Sequence, residues 1–380
     1  MILNKLNYIV LQDLLARFYS RMMKSRYWVI LILLAVAIKW VAFYPEWVER
    51  NYSRVLFPLL AALQRFLLGW IPFSVGDLFY GLLLLLIIFK TTGLFRDLYR
   101  KRVDRSYLVQ GAQQIIFSFL CIYVFFNLFW GLNYSRAGIG YQLQLKADGS
   151  SVEEINTLAL ALLAKADSNR SLLPQQDNWS ALHKRSLFAQ AMLPYRVTGL
   201  PYSFLSNSSS SVKPSLYSYV GNYLGFQGYY NPFSGEAQVN TTIPPMLQPF
   251  VALHELAHQA GYAKESEANF VGYLAGRNHP DPLFRYSVYL ELFRYAQAEL
   301  YRLDTTRAQA VYKSIPVPIK NDLRIIRDFY TSYQTPVERI IMTGYEYFLQ
   351  ANDQPKGMRS YHEVVGWVIA LTRKEGMQEL

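Results

Sequence analysis

Three long apolar runs within the first 132 residues constrain this chain more than any other feature. Tyr27–Tyr44 holds one charge, Lys39, in 18 residues; Val75–Phe89 is built on GLLLLLIIF; Gly111–Leu132 closes on Phe129 and Trp130. A hydrocarbon layer ~30 Å thick takes about 20 apolar residues of helix to cross, and the backbone inside it must satisfy its own hydrogen bonds. The runs are therefore predicted to be membrane-spanning helices, and residues 1–135 a membrane domain. Val55–Ile71 is also apolar but is broken by Pro58, Gln64, Arg65 and Gly69, which suits an interfacial or re-entrant helix. The first run lacks a small-residue cleavage site, since AFYPEW follows, so an uncleaved anchor is expected. Charged residues are 17% of the chain, below the ~25% usual for soluble domains.

The net charge of +11 is unevenly placed: residues 1–110 hold 15 Lys/Arg against 6 Asp/Glu, and the rest hold 23 against 21. The basic excess belongs to the membrane domain, and no basic stripe or motif on a folded domain supports nucleic-acid binding. Five Lys/Arg precede the first run and six lie in 90–105, against three in 45–74. The positive-inside rule then puts the N-terminus and the 90–105 loop in the cytoplasm and everything after residue 133 outside. A crossing by 55–71 would reverse that assignment. The basic arm, residues 1–26, is expected to lie on the cytoplasmic membrane surface. Trp28, Trp40, Tyr44, Trp47 and Trp70 fit interfacial belts. Cys121 is the single cysteine, which excludes a disulfide framework and a cysteine-based zinc site.

Residues 136–380 read as mostly helical. Apolar residues recur at three and four in Ser151–Asp167, Trp179–Met192, Leu247–Ala260, Pro282–Leu303, Ile319–Tyr333, Pro336–Gln350 and Tyr361–Arg373. Between them, 201–215 is a Ser-rich loop, and Leu216–Phe233, crowded with Tyr and Gly, suggests close-packed loops or short strands walling a groove. Glu236–Ile243 reads as a short strand ended by Pro244 and Pro245. The fold class is thus mainly α, with about three spans followed by a helical domain carrying a small β-sheet.

Within that domain, Leu253–Gly272 reads LHELAHQAGYAKESEANFVG. His254 and His258 are four apart, so both imidazoles share one helix face and can grip a single Zn²⁺. Glu255, rotated off that face, is placed to take a proton from an activated water. Gly261 breaks the helix. On the next one, Glu265 and Asn269 stand one turn apart with Ala268, Gly272 and Gly276, a small-residue face able to press close to the His helix. Glu265 is the candidate third ligand and Asn269 a supporting amide. Glu267 is the rival ligand, but it shares its stripe with the apolar Phe270, Val271 and Leu274.

HELAH followed by a helix with E-x-x-A-N resembles the gluzincin metallopeptidases, in which two His and a downstream Glu hold zinc. More closely, HELAHQAGYAKESEANF, with PFSVGD, PFSGEAQVN and SYHEVVGWVIA elsewhere in the chain, resembles an uncharacterised family of bacterial polytopic membrane proteins. The resemblance implies a zincin-like fold, zinc at His254, His258 and Glu265, a catalytic Glu255, and a place in the bacterial inner membrane. Two departures from the gluzincin pattern stand out: Asn269 where Asp is common, and a short gap between His258 and Glu265.

The expected activity is hydrolysis of a peptide or protein substrate, with Glu255 passing the water's proton to the leaving amine. Ala237, Gln238, Val239 and Asn240 are the candidate edge strand for holding an extended peptide. Arg285, Tyr286 and Tyr289 are candidate oxyanion donors. His279 is a weaker ligand candidate; His183 and His362 read as structural or surface residues. Two alternatives stay open: a membrane-anchored scaffold, or an inactive peptidase, with structural zinc closed by a fourth ligand, and a zinc amidase acting on cell-wall peptides.

Overall fold

The computed structural model describes residues 25–174, 184–196, 202 and 210–380. His183, most of the Ser-rich loop and all but the end of the basic arm lie outside the described residues. The chain is mainly helical. Helices α1 (Ser25–Ala42), α3 (Val75–Tyr99) and α4 (Arg105–Phe129) are each long and apolar enough to cross a membrane. Helix α3 runs past its apolar run from Phe89 to Tyr99, and α4 starts at Arg105, before Gly111, but ends at Phe129, short of Leu132; 25 residues at ~1.5 Å each exceed a hydrocarbon layer of ~30 Å. Their starts are fixed by side-chain caps: Ser74 Oγ accepts the Asp77 N–H at 3.0 Å, and Asp104 Oδ1 accepts that of Tyr107 at 2.7 Å.

The 55–71 run is not a further span. It holds helix α2 (Phe57–Leu68), which continues a π-helix over Val48–Leu56 whose Glu49, Arg50 and Arg54 make the joined helix too polar for a bilayer core. Its polar residues face protein: Gln64 Nε2 donates to the Pro232 carbonyl at 2.8 Å. The preceding π-helix buries Tyr52 and Ser53, which bond the Leu128 carbonyl (3.0 Å) and Asn133 (2.8 Å) at the end of α4.

Beyond α4 the chain forms α5 (Val152–Arg170), β1 (Val212–Pro214), α6 (Ser218–Leu224), β2 (Gly228–Asn231), β3 (Glu236–Val239), α7 (Gln248–Gln259) and α8 (Glu265–Gly276). There follow α9 (Pro282–Leu303), α10 (Val317–Tyr333), α11 (Pro336–Ala351) and α12 (Val364–Glu375). Helix α5 opens on a capping box between Ser151 and Glu154 and lies along α9. Helices α7 and α8 are buried throughout, packed on each other and, for α7, on β3.

The sheet order is β1-β3-β2, with β1 parallel and β2 antiparallel to β3. This corrects the edge-strand expectation. Ala237, Gln238 and Val239 pair with Val212–Pro214 on one side and Gly228–Tyr230 on the other, so β3 has no free edge. Asn240 lies past its end and donates to Asn222 Oδ1 at 2.7 Å.

The sheet is fastened to the start of α3. Glu236 accepts the backbone N–H groups of Val75 (3.3 Å) and Gly76 (2.8 Å) and pairs with Lys213 at 2.5 Å. Lys213 Nζ also donates to the carbonyls of Leu68 (2.9 Å) and Phe73 (3.2 Å). Asp77 accepts from the Leu216 N–H at 2.7 Å and from the Tyr229 hydroxyl. Residues 212–239 therefore sit at the end of the apolar helices where α3 begins and α4 ends.

Candidate metal centre

Helix α7 ends at Gln259, and Gly261, at φ +91°, turns the chain back into α8. A left-handed φ favours glycine, and space demands it as well, since a Cβ there would meet Phe57 at 2.9 Å. On α8, a Cβ at Gly272 would stand 3.4 Å from the His254 backbone nitrogen, and one at Gly276 would strike the Leu253 side chain at 2.6 Å. The small residues thus let α8 lie close enough to bring Glu265 over the histidines. Glu265 Oε2 is 3.1 Å from His254 Nε2 and 3.3 Å from His258 Nε2.

The tautomers follow from the partners. His258 Nδ1 is 2.7 Å from the Tyr262 carbonyl, which can only accept, so Nδ1 carries the hydrogen. His254 Nδ1 is 2.7 Å from Asn269 Oδ1, and the Asn269 amide donates to the Tyr361 carbonyl at 3.2 Å, which fixes its orientation. With Nδ1 so engaged on each ring, both histidines turn Nε2 toward the carboxylate. Glu265 Oε2 is buried and faces only these two nitrogens. Two imidazole nitrogens and a carboxylate oxygen, all within 4.8 Å of one another, form a donor set that can hold a metal ion. Glu265 Oε1 accepts from the Tyr345 hydroxyl at 2.7 Å, and Tyr361 stacks on His254.

Glu255 is buried beside this group, with Oε2 lacking any partner. Burial pushes its carboxyl up to about 8, against the pull of His258. Burial alone would lower both histidines. For His254 it prevails, whereas the Glu265 charge carries His258 up to about 9. Glu265 itself is held well below the carboxylate range: burial opposes ionisation, but the two histidines outweigh it.

Glu267 points elsewhere. Its carboxylate fills the space a side chain on Gly138 would need and accepts from the Ile139 backbone. The oxyanion candidates are occupied away from the centre. Arg285 bonds Asn169 at 2.7 Å and the His279 carbonyl, Tyr286 bonds Asp322 at 2.5 Å, and Tyr289 bonds the Arg277 carbonyl at 3.2 Å. Helical periodicity shows that such residues face inward but not which neighbour they meet. His279 stacks on Phe284 and His362 packs edge-on to Tyr295. Among the described residues no fourth His, Cys, Asp or Glu joins the group.

Sequence reasoning missed several residues at the centre. Trp130, just past α4, donates to the His258 carbonyl at 3.1 Å. Tyr134, Tyr345 and Tyr361 line the same cavity, which measures about 1020 Å³. Arg136 bonds the Gly261 carbonyl and Glu49 at 2.8 Å each, and Glu49 is drawn down to about 2, burial being outweighed by Arg136. Their one sequence cue was the buried-pattern SYHEVVGWVIA segment, which contains Tyr361.

The fold and site define a helical membrane protein with a buried His-His-Glu group that can hold a metal ion. The chain belongs to the family described as "Protein of unknown function (DUF3810)", whose model matches residues 52–369. No curated protein matches it. No solved structure matches it either.

Proposed function

We propose that the protein is a membrane-anchored zinc peptidase, with His254, His258 and Glu265 holding the ion and Glu255 as general base. The observation that carries this reading is the convergence of two imidazole nitrogens and a carboxylate oxygen beside a second buried carboxylate with an unpartnered oxygen. When bound, the ion supplies Lewis acidity, making water nucleophilic near neutral pH and polarising a carbonyl oxygen. Glu255 takes the water's proton and delivers it to the leaving amine, and its burial suits it to carry that proton between the two steps. Asn269 and the Tyr262 carbonyl hold the imidazoles in the tautomer that presents Nε2. The Tyr134 hydroxyl, in the same cavity, takes the oxyanion role in place of Arg285, Tyr286 and Tyr289, since Tyr345 already donates to Glu265 and Tyr361 to Tyr345.

The substrate strand moves from Ala237–Asn240 to β2, an outer strand that lines the cavity and passes Glu255. A Cβ on Gly228 would lie 2.7 Å from Glu255 Oε1. A purely structural zinc would call for a fourth protein ligand, which the donor set lacks among the described residues. Positive-inside counting places this site on the extracytoplasmic face, which accessibility of tags on either terminus tests.

Glu255→Gln should keep one equivalent of zinc by elemental analysis and lose hydrolysis of a mixed peptide pool. Turnover retained by that variant would refute the assignment.

A further inference from the structure

We propose that the substrate is itself anchored in the membrane and is cut within a few residues of the bilayer face. This rests on the peptidase reading and names its substrate class. The first observation is where the centre sits. Trp130 follows α4 directly, bonds the His258 carbonyl, and places its ring 5.8 Å from the His258 ring. The ligand helix is thus held by the residue at which a membrane helix ends.

The second observation is the course of β2. At Gly228 the strand meets Glu255; at Asn231 it meets α3, where a Cβ on Gly76 would stand 2.5 Å from the Asn231 amide nitrogen. An extended peptide paired with the outer edge of β2 would travel from the catalytic carboxylate to the start of a membrane helix in three residues, ~10 Å. The third is the cavity. It does not end at the metal ligands but continues to Tyr80 on the second turn of α3, to Phe126 on the last turn of α4, and to Phe233.

The fourth is α11, which covers the centre. Its inner face carries Tyr345 to Glu265 and buries Leu349, while its outer face shows Val337, Ile340 and Tyr347 at 55%, 71% and 68% exposure. Near its C-terminal end, Phe348 packs edge-on to Phe126 of α4, so this apolar face starts at the bilayer boundary, where lipid and not water is the matching solvent. A passage walled by α3, α4 and α11 admits a chain arriving sideways from the membrane.

The test uses the full-length, zinc-loaded protein in phosphatidylcholine–phosphatidylglycerol liposomes. One peptide pool from digested casein is offered free, or acylated with a palmitoyl chain at either terminus, and the products are read by mass spectrometry. Membrane confinement raises local concentration, so the anchored pool should be cut about tenfold faster or more. Its cuts should gather within about five residues of the anchor. Free peptides cut equally fast, or cuts spread evenly along anchored ones, would overturn the proposal and leave the peptidase reading standing. Cleavage of neither pool would overturn both. As a readout independent of turnover, Glu255→Gln protein with a photo-crosslinking residue in place of Phe233 should capture anchored and not free peptide. Equal capture of the two would count against lateral entry.

Discussion

Loading the centre with zinc near neutral pH should expel one proton, and His258 should supply it. Its Nδ1 hydrogen is committed to the Tyr262 carbonyl, so any second proton sits on Nε2, 3.3 Å from Glu265 Oε2. Burial works against that proton, but the Glu265 charge retains it up to about pH 9. His254, lowered by burial, is neutral near pH 7. A cation needs the Nε2 lone pair and must displace the His258 proton. Apparent affinity should therefore rise about tenfold per pH unit, some 100-fold between pH 7 and 9, and then level off. Calorimetric titration of chelator-stripped protein, in buffers of different ionisation enthalpy, measures the proton count directly. The sign for stability is fixed by the same shift. His258 is raised from 6.5 to about 9, so its contribution to the metal-free protein is full below pH 6.5 and lost as pH climbs through 9. No proton release at pH 7, with affinity flat to pH 9, would refute the reasoning.

Other outcomes follow from the same geometry. Glu265→Ala should lose bound zinc on dialysis, whereas Glu267→Ala, altered beside Gly138, should retain it by elemental analysis; the opposite pattern would transfer the ligand role. Gly228→Ala puts a methyl group 2.7 Å from Glu255 Oε1 and 2.9 Å from the Gln238 carbonyl oxygen; it should cut peptide hydrolysis severely and lower the melting temperature while zinc content by elemental analysis stays close to the parent. Arg136→Gln leaves Glu49 buried without its main partner and should cost roughly 3–5 kcal/mol in denaturant unfolding. An unchanged midpoint would show that this pair does not hold the Gly261 turn.

What the sequence disclosed was local. A pair of histidines one turn apart, a glycine break, and a helix with Glu265, Asn269, Gly272 and Gly276 on one stripe describe the ligand group, because helical spacing fixes which side chains share a face. The apolar runs were legible for the same reason. Pairing across the chain was not. Four residues of Glu236–Val239 do not reveal whether a strand has one neighbour or two; all four are buried, with β2 paired along the whole strand and β1 along its last three residues. Tyr345 and Trp130 reach the centre from 80 and 128 residues away from their partners, and no periodicity encodes such a meeting. Periodicity in Pro282–Leu303 marks a helix but does not say that Tyr286 would meet Asp322 and not the metal group.

The long-range contacts explain why the metal group and the membrane helices belong to one structure. Glu49, in the segment between α1 and α3, pairs with Arg136, six residues after Trp130. Arg136 holds the Gly261 carbonyl and lies over the Tyr262 ring at 4.6 Å. Tyr262 in turn donates its hydroxyl to Gln142 at 2.6 Å, and Gln142 bonds Glu49 at 2.7 Å, closing a buried ring of contacts. The Tyr262 carbonyl that orients His258 therefore belongs to a turn clamped by residues flanking the membrane helices. A buried ion pair adds little net stability against an apolar substitute of the same shape, but breaking one partner is costly. Its value here is positional: it sets a carbonyl to within hydrogen-bonding distance of one imidazole nitrogen, so the other points at Glu265. Severing the membrane helices from residues 136–380 would remove Glu49 and Trp130 together, and with them both restraints on the His258 end of α7.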